Sequence, residues 1–235
     1  METELTALYS KIKSCTICPK MDNYKTLRNV NSVDADTKVF ILSQALAEKQ
    51  LRLSGVNFFK TDGTVGDTGR LLEKFLNQFG QTIFPPKNIE LGNGNIIISK
   101  KNQEYITVYN TEITQCYPGK ADSKGDRLPD KEEIKNCINT GFLFSEINII
   151  KPKLILLMGK LSTQTFFEQI LKYKNKQSLT DLINQIIVNN KIPEIELFGN
   201  TIAYLPIQHA SGLNPNFQKM CNNEKLISLI KDYLK

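Results

Sequence analysis

Four short runs of the chain are nearly all apolar: Lys38-Val39-Phe40-Ile41-Leu42-Ser43, Tyr105-Ile106-Thr107-Val108-Tyr109, Leu154-Ile155-Leu156-Leu157-Met158-Gly159 and Thr201-Ile202-Ala203-Tyr204-Leu205-Pro206. Runs of this kind predict strands buried on both faces, as in a parallel sheet. Between them the period changes to that of a helix. Leu71, Leu72, Phe75, Leu76 and Phe79 recur at helical spacing. A helix opened by Pro129 carries Asp130, Glu132 and Glu133 in its first turn, where negative charge is favoured. Further helices are predicted over residues 1–13, 161–173, 179–190 and 223–234. Alternating strands and helices predict a three-layer α/β/α fold around a central, mostly parallel four-stranded sheet, one domain spanning residues 1–235. Residues 84–103 read as a β-hairpin insertion: Pro85-Pro86 opens it and Gly92-Asn93-Gly94 is a hairpin-turn signal. Loops rich in polar residues are predicted over 54–69 and 120–130.

In such a fold the active site lies beyond the carboxyl ends of the strands. Gln44, the segment 110–116, Gly159 and His209 all stand at predicted strand ends. His209 is the only histidine, and the loop Ala210-Ser211-Gly212-Leu213-Asn214-Pro215 follows it.

Charge and cysteine content narrow the chemistry. Lys plus Arg is 30 and Asp plus Glu is 24, a net charge of +6 that favours a polyanionic partner such as nucleic acid without demanding one. No run approaches the length of a membrane span, and the acidic, polar start of the chain is not a signal peptide, so a cytoplasmic location is expected. Five cysteines in such a chain argue for metal ligation over disulfides. Cys15 and Cys18 form a C-x2-C pair, Cys116 follows in Gln115-Cys116-Tyr117-Pro118-Gly119, and Cys137 lies in the helix opened by Pro129. Four thiolates can hold one iron–sulfur cluster or one zinc. Cys221 is read as an ordinary core or surface thiol.

Taken together, these residues resemble the iron–sulfur branch (family 4 and relatives) of the uracil-DNA glycosylase superfamily, over nearly the whole chain apart from 84–103. The resemblance rests on the order of the four cysteines, on Gly125-Asp126-Arg127-Leu128-Pro129 between the last two, and on His209-Ala210-Ser211 in place of the family's terminal His-Pro-Ser. It implies a [4Fe–4S] cluster on Cys15, Cys18, Cys116 and Cys137, with zinc as the alternative metal. It also implies DNA as partner, a nucleoid-associated location, no membrane and a monomer. The departures concern substrate. The first motif, Gly-Glu-Ala-Pro-Gly in the branch, reads Ser43-Gln44-Ala45-Leu46-Ala47, so a glutamine replaces the acid that orients water. The stacking aromatic maps best to Phe58, in Gly55-Val56-Asn57-Phe58, with Phe59 its neighbour. The Asn that reads the pyrimidine edge is replaced by Glu112 in Tyr109-Asn110-Thr111-Glu112, with Asn110 two residues earlier on the same strand face.

The roles implied are these. His209 stabilises charge on the leaving base, Gln44 holds water, and Glu112 is a general base, a reader of an exocyclic amine, or a charge facing solvent. Phe58, Asn110, Ser43 and Ala45 form the base pocket. Leu213 wedges into the gap left by the flipped base, and Ser211, Gly212, Lys120 and Lys160 clamp phosphates. Asp62 and Asp67 are further candidates to activate water. Three functions compete: a uracil-excising repair glycosylase, a glycosylase for modified pyrimidines in foreign (phage) DNA acting in antiviral defence, and a catalytically inactive DNA-binding adaptor.

Overall fold

The structure, a computed structural model, describes residues 1–21, 30–45, 56–60, 62–91, 94, 96–100, 104–121 and 125–235. Its centre is a sheet of five strands: β1 (Val39–Ala45), β6 (Tyr109–Thr114), β7 (Leu154–Met158), β8 (Glu194–Leu197) and β9 (Asn200–Ile207), in the order β6-β1-β7-β9-β8. The β6–β1, β1–β7 and β7–β9 pairs are parallel and the β8–β9 pair is antiparallel. The sheet therefore has one strand more than the sequence pattern predicts. Glu194-Ile195-Glu196-Leu197 alternates exposed and half-buried positions, as an edge strand does, so it lacks the apolar run that marks the other strands. Phe198 and Gly199, both at positive φ, turn β8 directly into β9.

Two apolar layers cover the sheet. On one face Val39, Ile41, Leu154, Leu156, Leu205 and Ile207 pack against α2 (Asp67–Asn77), α6 (Leu179–Asn189), α7 (Pro215–Cys221) and α8 (Glu224–Leu234). On the other, Phe40, Leu42, Tyr109, Ile113, Ile155 and Leu157 meet α1 (Glu2–Ser14), α3 (Lys131–Asn139), α4 (Phe142–Ile150) and α5 (Lys160–Gln169). This is the three-layer α/β/α arrangement. Each of these fully buried side chains contributes about 1.5–3 kcal/mol relative to an exposed one.

The second core strand differs from its prediction over 105–109. The strand beside β1 is Tyr109–Thr114, and Ile106–Thr107 (β5) pairs in parallel with β2 (Gln81–Thr82) in a separate small sheet. The apolar run misleads because β6 buries polar side chains, Thr111, Glu112 and Thr114, rather than aliphatic ones. Helix α5 ends at Gln169, short of the predicted Tyr173. Helix α4 went unpredicted because Phe142–Ile150 is apolar on all sides, with no amphipathic period to reveal it.

In the stretch 84–103, β3 (Ile89–Leu91) and β4 (Ile96–Ile98) pair antiparallel. Gly92 and Asn93 of the hairpin-turn signal lie outside the described residues. The pair packs on the loop before α2: a Cβ on Gly63, whose φ is +79°, would stand 2.9 Å from Ile96 Cγ2. Among the described residues no helix is long and apolar enough to cross a membrane.

Candidate active site

The register of the sheet sets the site. Phe40 and Leu42 face one apolar layer and Val39 and Ile41 the other. Alternation then carries Ser43 and Ala45 to the face of Ile41, and Gln44 to the opposite face. On β6, Tyr109 and Ile113 face the second layer, so Asn110, Glu112 and Thr114 share the face of Ser43 and Ala45. Ser43 pairs with Glu112 and Ala45 with Thr114 across the two strands. His209, two residues beyond Ile207, continues the same face of β9. The structure thus gathers Ser43, Ala45, Asn110, Glu112 and His209 toward one side of the carboxyl edge and does not bring Gln44 there. Leu46 and Ala47 of the first motif lie outside the described residues.

Glu112 is 2% exposed, which removes the reading of it as a solvent-facing charge. Burying a carboxylate is costly unless donors reach it. Two do: the Asn57 and Asn110 Nδ2 groups each donate to Glu112 Oε1 at 2.9 Å. Asn57 is a site residue that sequence reasoning missed. Its only signal is a polar residue before two phenylalanines.

The loop carrying Asn57 is tightly built. Phe58 adopts φ 71°, uncommon for a bulky residue and a mark of local strain. Its carbonyl accepts from Gly66 N–H at 2.8 Å, and Phe59 bridges to Val65. A Cβ on Gly69 of α2 would lie 2.9 Å from Phe58 Cβ and 3.0 Å from its carbonyl oxygen. Phe58 and Phe59 are both buried, and Phe59 meets Phe84 edge-on at 5.3 Å. Gly55 lies outside the described residues. Asp62 is spent on the loop, accepting from Thr64 N–H at 2.9 Å and Thr64 Oγ1 at 2.6 Å. Asp67 pairs with exposed Arg70.

His209 stands exposed at the end of β9. Partial desolvation lowers its pKa from the ordinary 6.5, which favours the neutral imidazole. Gly159, at φ +89°, ends β7 beside it: a Cβ there would meet His209 Cβ and Cδ2 at 3.7 Å. Lys160 follows as the exposed first residue of α5. The loop after His209 is braced. Asn214 Nδ2 donates to His209 O at 3.1 Å, and Leu213 N–H to Ser211 Oγ at 3.3 Å. On that turn Leu213 is 94% exposed and Gly212 is open to solvent. Lys120, also exposed, sits beside Gly119 and pairs with Asp126 at 3.2 Å.

The four cysteines of the sequence pattern line one pocket. Cys15, Cys18, Cys116 and Cys137 face it together with Ile12, Ile17, Met21 and Phe142. Burial pushes the Cys137 thiol up to about 12, and burial and Cys15 raise Cys18. Four neighbouring thiolates in an apolar pocket need a cation to offset their charge. The Gln115 backbone N–H donates to Cys137 Sγ at 3.3 Å, the kind of bond that supports a metal-bound sulfur. Among the described residues no three or more His, Cys, Asp or Glu side chains are closed around a metal position, yet the donor set and its shell fit a thiolate-held group. Cys221 lies elsewhere, packed on the first apolar layer, and burial raises its thiol to about 11.

Two buried acids tie this pocket to the strands. Glu146 of α4 accepts from Tyr109 Oη and Thr111 Oγ1 at 2.7 Å and from Gln115 Nε2 at 3.3 Å. Its signal in the sequence is a lone acid inside Phe142–Ile150. Glu133 closes a capping box with Asp130 at the start of α3, the helix of Cys137. Arg127 forks onto Glu133, Nη1 donating at 2.7 Å and Nη2 pairing with the other oxygen. The Arg127-x-Pro129 motif is thereby accounted for: it anchors the fourth-cysteine helix.

A type-4 uracil-DNA glycosylase of Pyrobaculum aerophilum is 25% identical to the chain over 167 residues, 70% of this chain and 65% of that protein. The chain thus spans just under two thirds of the length of this curated relative. A family model described as the uracil DNA glycosylase superfamily matches residues 30–235. Since that match runs from just before β1 to Lys235, through every strand that carries the site, the chain belongs to the uracil DNA glycosylase superfamily.

Proposed function

We propose that this chain is a monofunctional DNA glycosylase that flips a pyrimidine out of DNA and hydrolyses its N-glycosidic bond, leaving an abasic site. The observation that carries this reading is the pairing, along one face of a parallel sheet, of an exposed strand-end His209 with a buried Glu112 held by two amides. In the reaction the C1′–N1 bond breaks, its electrons leave with the base, and water adds to C1′. A neutral His209 donates a hydrogen bond to pyrimidine O2 as negative charge develops there, and a donor fixed in advance costs no reorganisation. Gln44, on the opposite face of β1, has no part in that step.

Flipping costs a few kcal/mol. Phe58 is the floor on which the flipped base stacks, a role supported by its position next to Asn57, whose amide reaches Glu112. Ser43 and Ala45 shape the wall between β1 and β6. Leu213 fills the vacated stack, as apolar wedges do at unstacked steps, and its braced turn keeps it presented. Ser211, the Gly212 backbone, Lys120 and Lys160 contact phosphates. Cys15, Cys18, Cys116 and Cys137 hold a [4Fe–4S] cluster, which supplies a structural cross-link and no redox step.

The test is incubation of the purified protein with duplexes carrying a single pyrimidine lesion or modified pyrimidine, followed by alkali. Strand breaks at the marked base are expected. Intact DNA across the panel, with binding preserved, contradicts the enzyme reading and leaves the adaptor.

A further inference from the structure

The three most buried acids near the sheet differ in what holds them. Glu73 accepts from Thr82 Oγ1 and Ile83 N–H, and Glu146 from Tyr109, Thr111 and Gln115. Both brace one element against another. Glu112 is held instead by two half-exposed asparagines, one from β6 and one from the loop of Phe58, where the site opens.

A carboxylate accepts hydrogen bonds and donates none. The two amides must therefore turn their NH2 groups toward Glu112 Oε1, which directs Asn57 Oδ1 and Asn110 Oδ1 away from it. The cluster is thus built around acceptor oxygens. A carboxylate offers about four lone-pair positions, so two donors at one oxygen do not exhaust it. Pyrimidines divide on this property. The cytosine class carries an exocyclic N4 amine, a donor, where uracil and thymine carry the O4 acceptor. An oxygen facing O4 repels it, whereas glutamate accepting from cytosine N4 is a favourable pairing.

We infer that the Asn57–Glu112–Asn110 cluster selects a flipped base bearing an exocyclic amino group, of the cytosine class, over uracil. The inference rests on the glycosylase reading and deepens it by naming the substrate class. Glu112 is the specificity-determining residue, and Asn57 and Asn110 position it. The β6 and β9 strands are three steps apart in the sheet, about 14 Å, which leaves room for the base to lie at Glu112 while its glycosidic end faces His209.

The experiment compares wild type with Glu112→Gln on duplexes identical except for one target: uracil, cytosine, 5-methylcytosine or 5-hydroxymethylcytosine. The wild type is expected to release a cytosine-class base about 10- to 100-fold faster, in kcat/KM, than uracil, the discrimination of one good polar pairing. Glu112→Gln, whose amide can turn an N–H toward O4, is expected to shrink that ratio by a similar factor. A structural role alone would lower both rates and leave the ratio unchanged. Preference of the wild type for uracil, or an unchanged ratio in a folded Gln variant, overturns the inference and leaves the glycosylase reading standing. If no base is released, the glycosylase reading fails separately. The inference is then decided by affinity for duplexes carrying 2′-fluoro-substituted deoxycytidine or deoxyuridine: tighter binding of the cytidine form supports it, and equal or weaker binding overturns it. Thermal unfolding shows whether the Gln variant folds, and if it does not, the wild-type preference decides.

Discussion

A single imidazole at the end of β9 sets the pH behaviour expected of this site. Burial lowers the His209 pKa below 6.5, and the proposed step uses the neutral form. Protonation as pH falls through that lowered value removes the neutral donor, so kcat/KM declines on the acid side only below 6.5. A pH profile of single-turnover base release checks this: an acid limb centred above 6.5, or one that survives His209→Gln, contradicts the assignment. The residue-level reading of the sequence was uneven for a physical reason. His209 and the cysteines announce themselves by type and spacing. Asn57 and the orientation of Gln44 do not, because each depends on what the folded chain brings opposite. Glu112 was visible as a departure from a family motif, but its burial and its two amide partners were not.

At the scale of elements, the anchoring of α3 has a consequence for acid stability. The Arg127 fork is the main cause that holds the Glu133 carboxyl below its ordinary 4.5, with the Asp130 N–H assisting. The folded pKa is depressed, so the stabilisation is fully present above 4.5 and is lost as pH falls through the folded value. Glu133→Gln is expected to cost about 1–3 kcal/mol near neutral pH, the range for hydrogen bonds to a charged group. Its unfolding curve should converge on that of the wild type as the pH drops below 4. Denaturant melts at several pH values check this, and a constant gap between the two proteins contradicts it. The elements themselves were legible where one force dominated. The apolar runs of β1, β7 and β9 and the amphipathic α2 read directly. The β6 strand was displaced because its buried face is polar at the site, and β8 escaped because an edge strand is half solvated.

For the molecule as a whole, the parallel sheet does two jobs with separate halves of its carboxyl edge. One face carries the base cluster and His209. The other leads through Thr111 and Glu146 to Gln115, whose backbone N–H meets Cys137. Helix α1 joins the same chain where Tyr9 Oη meets Tyr109 Oη at 3.1 Å. The cysteine pocket and the catalytic face thus share one strand, β6, so loss of the cysteine-held group is coupled to the position of Glu112. The +6 charge adds a sequence-independent attraction to DNA that is largely lysine-borne, since only four residues are Arg. The fold class and the cysteine set could be read from the sequence because both are patterns along the chain. The face on which each strand-end residue stands could not, since register is decided by pairing between strands. The measurement that tests the account most directly is single-turnover base release by wild type and His209→Ala on the preferred duplex, with DNA affinity measured in parallel. The account predicts abasic-site formation by the wild type and a loss of at least about 100-fold in the variant, the usual cost of a removed transition-state donor, with affinity little changed. Equal release by the two proteins would contradict it.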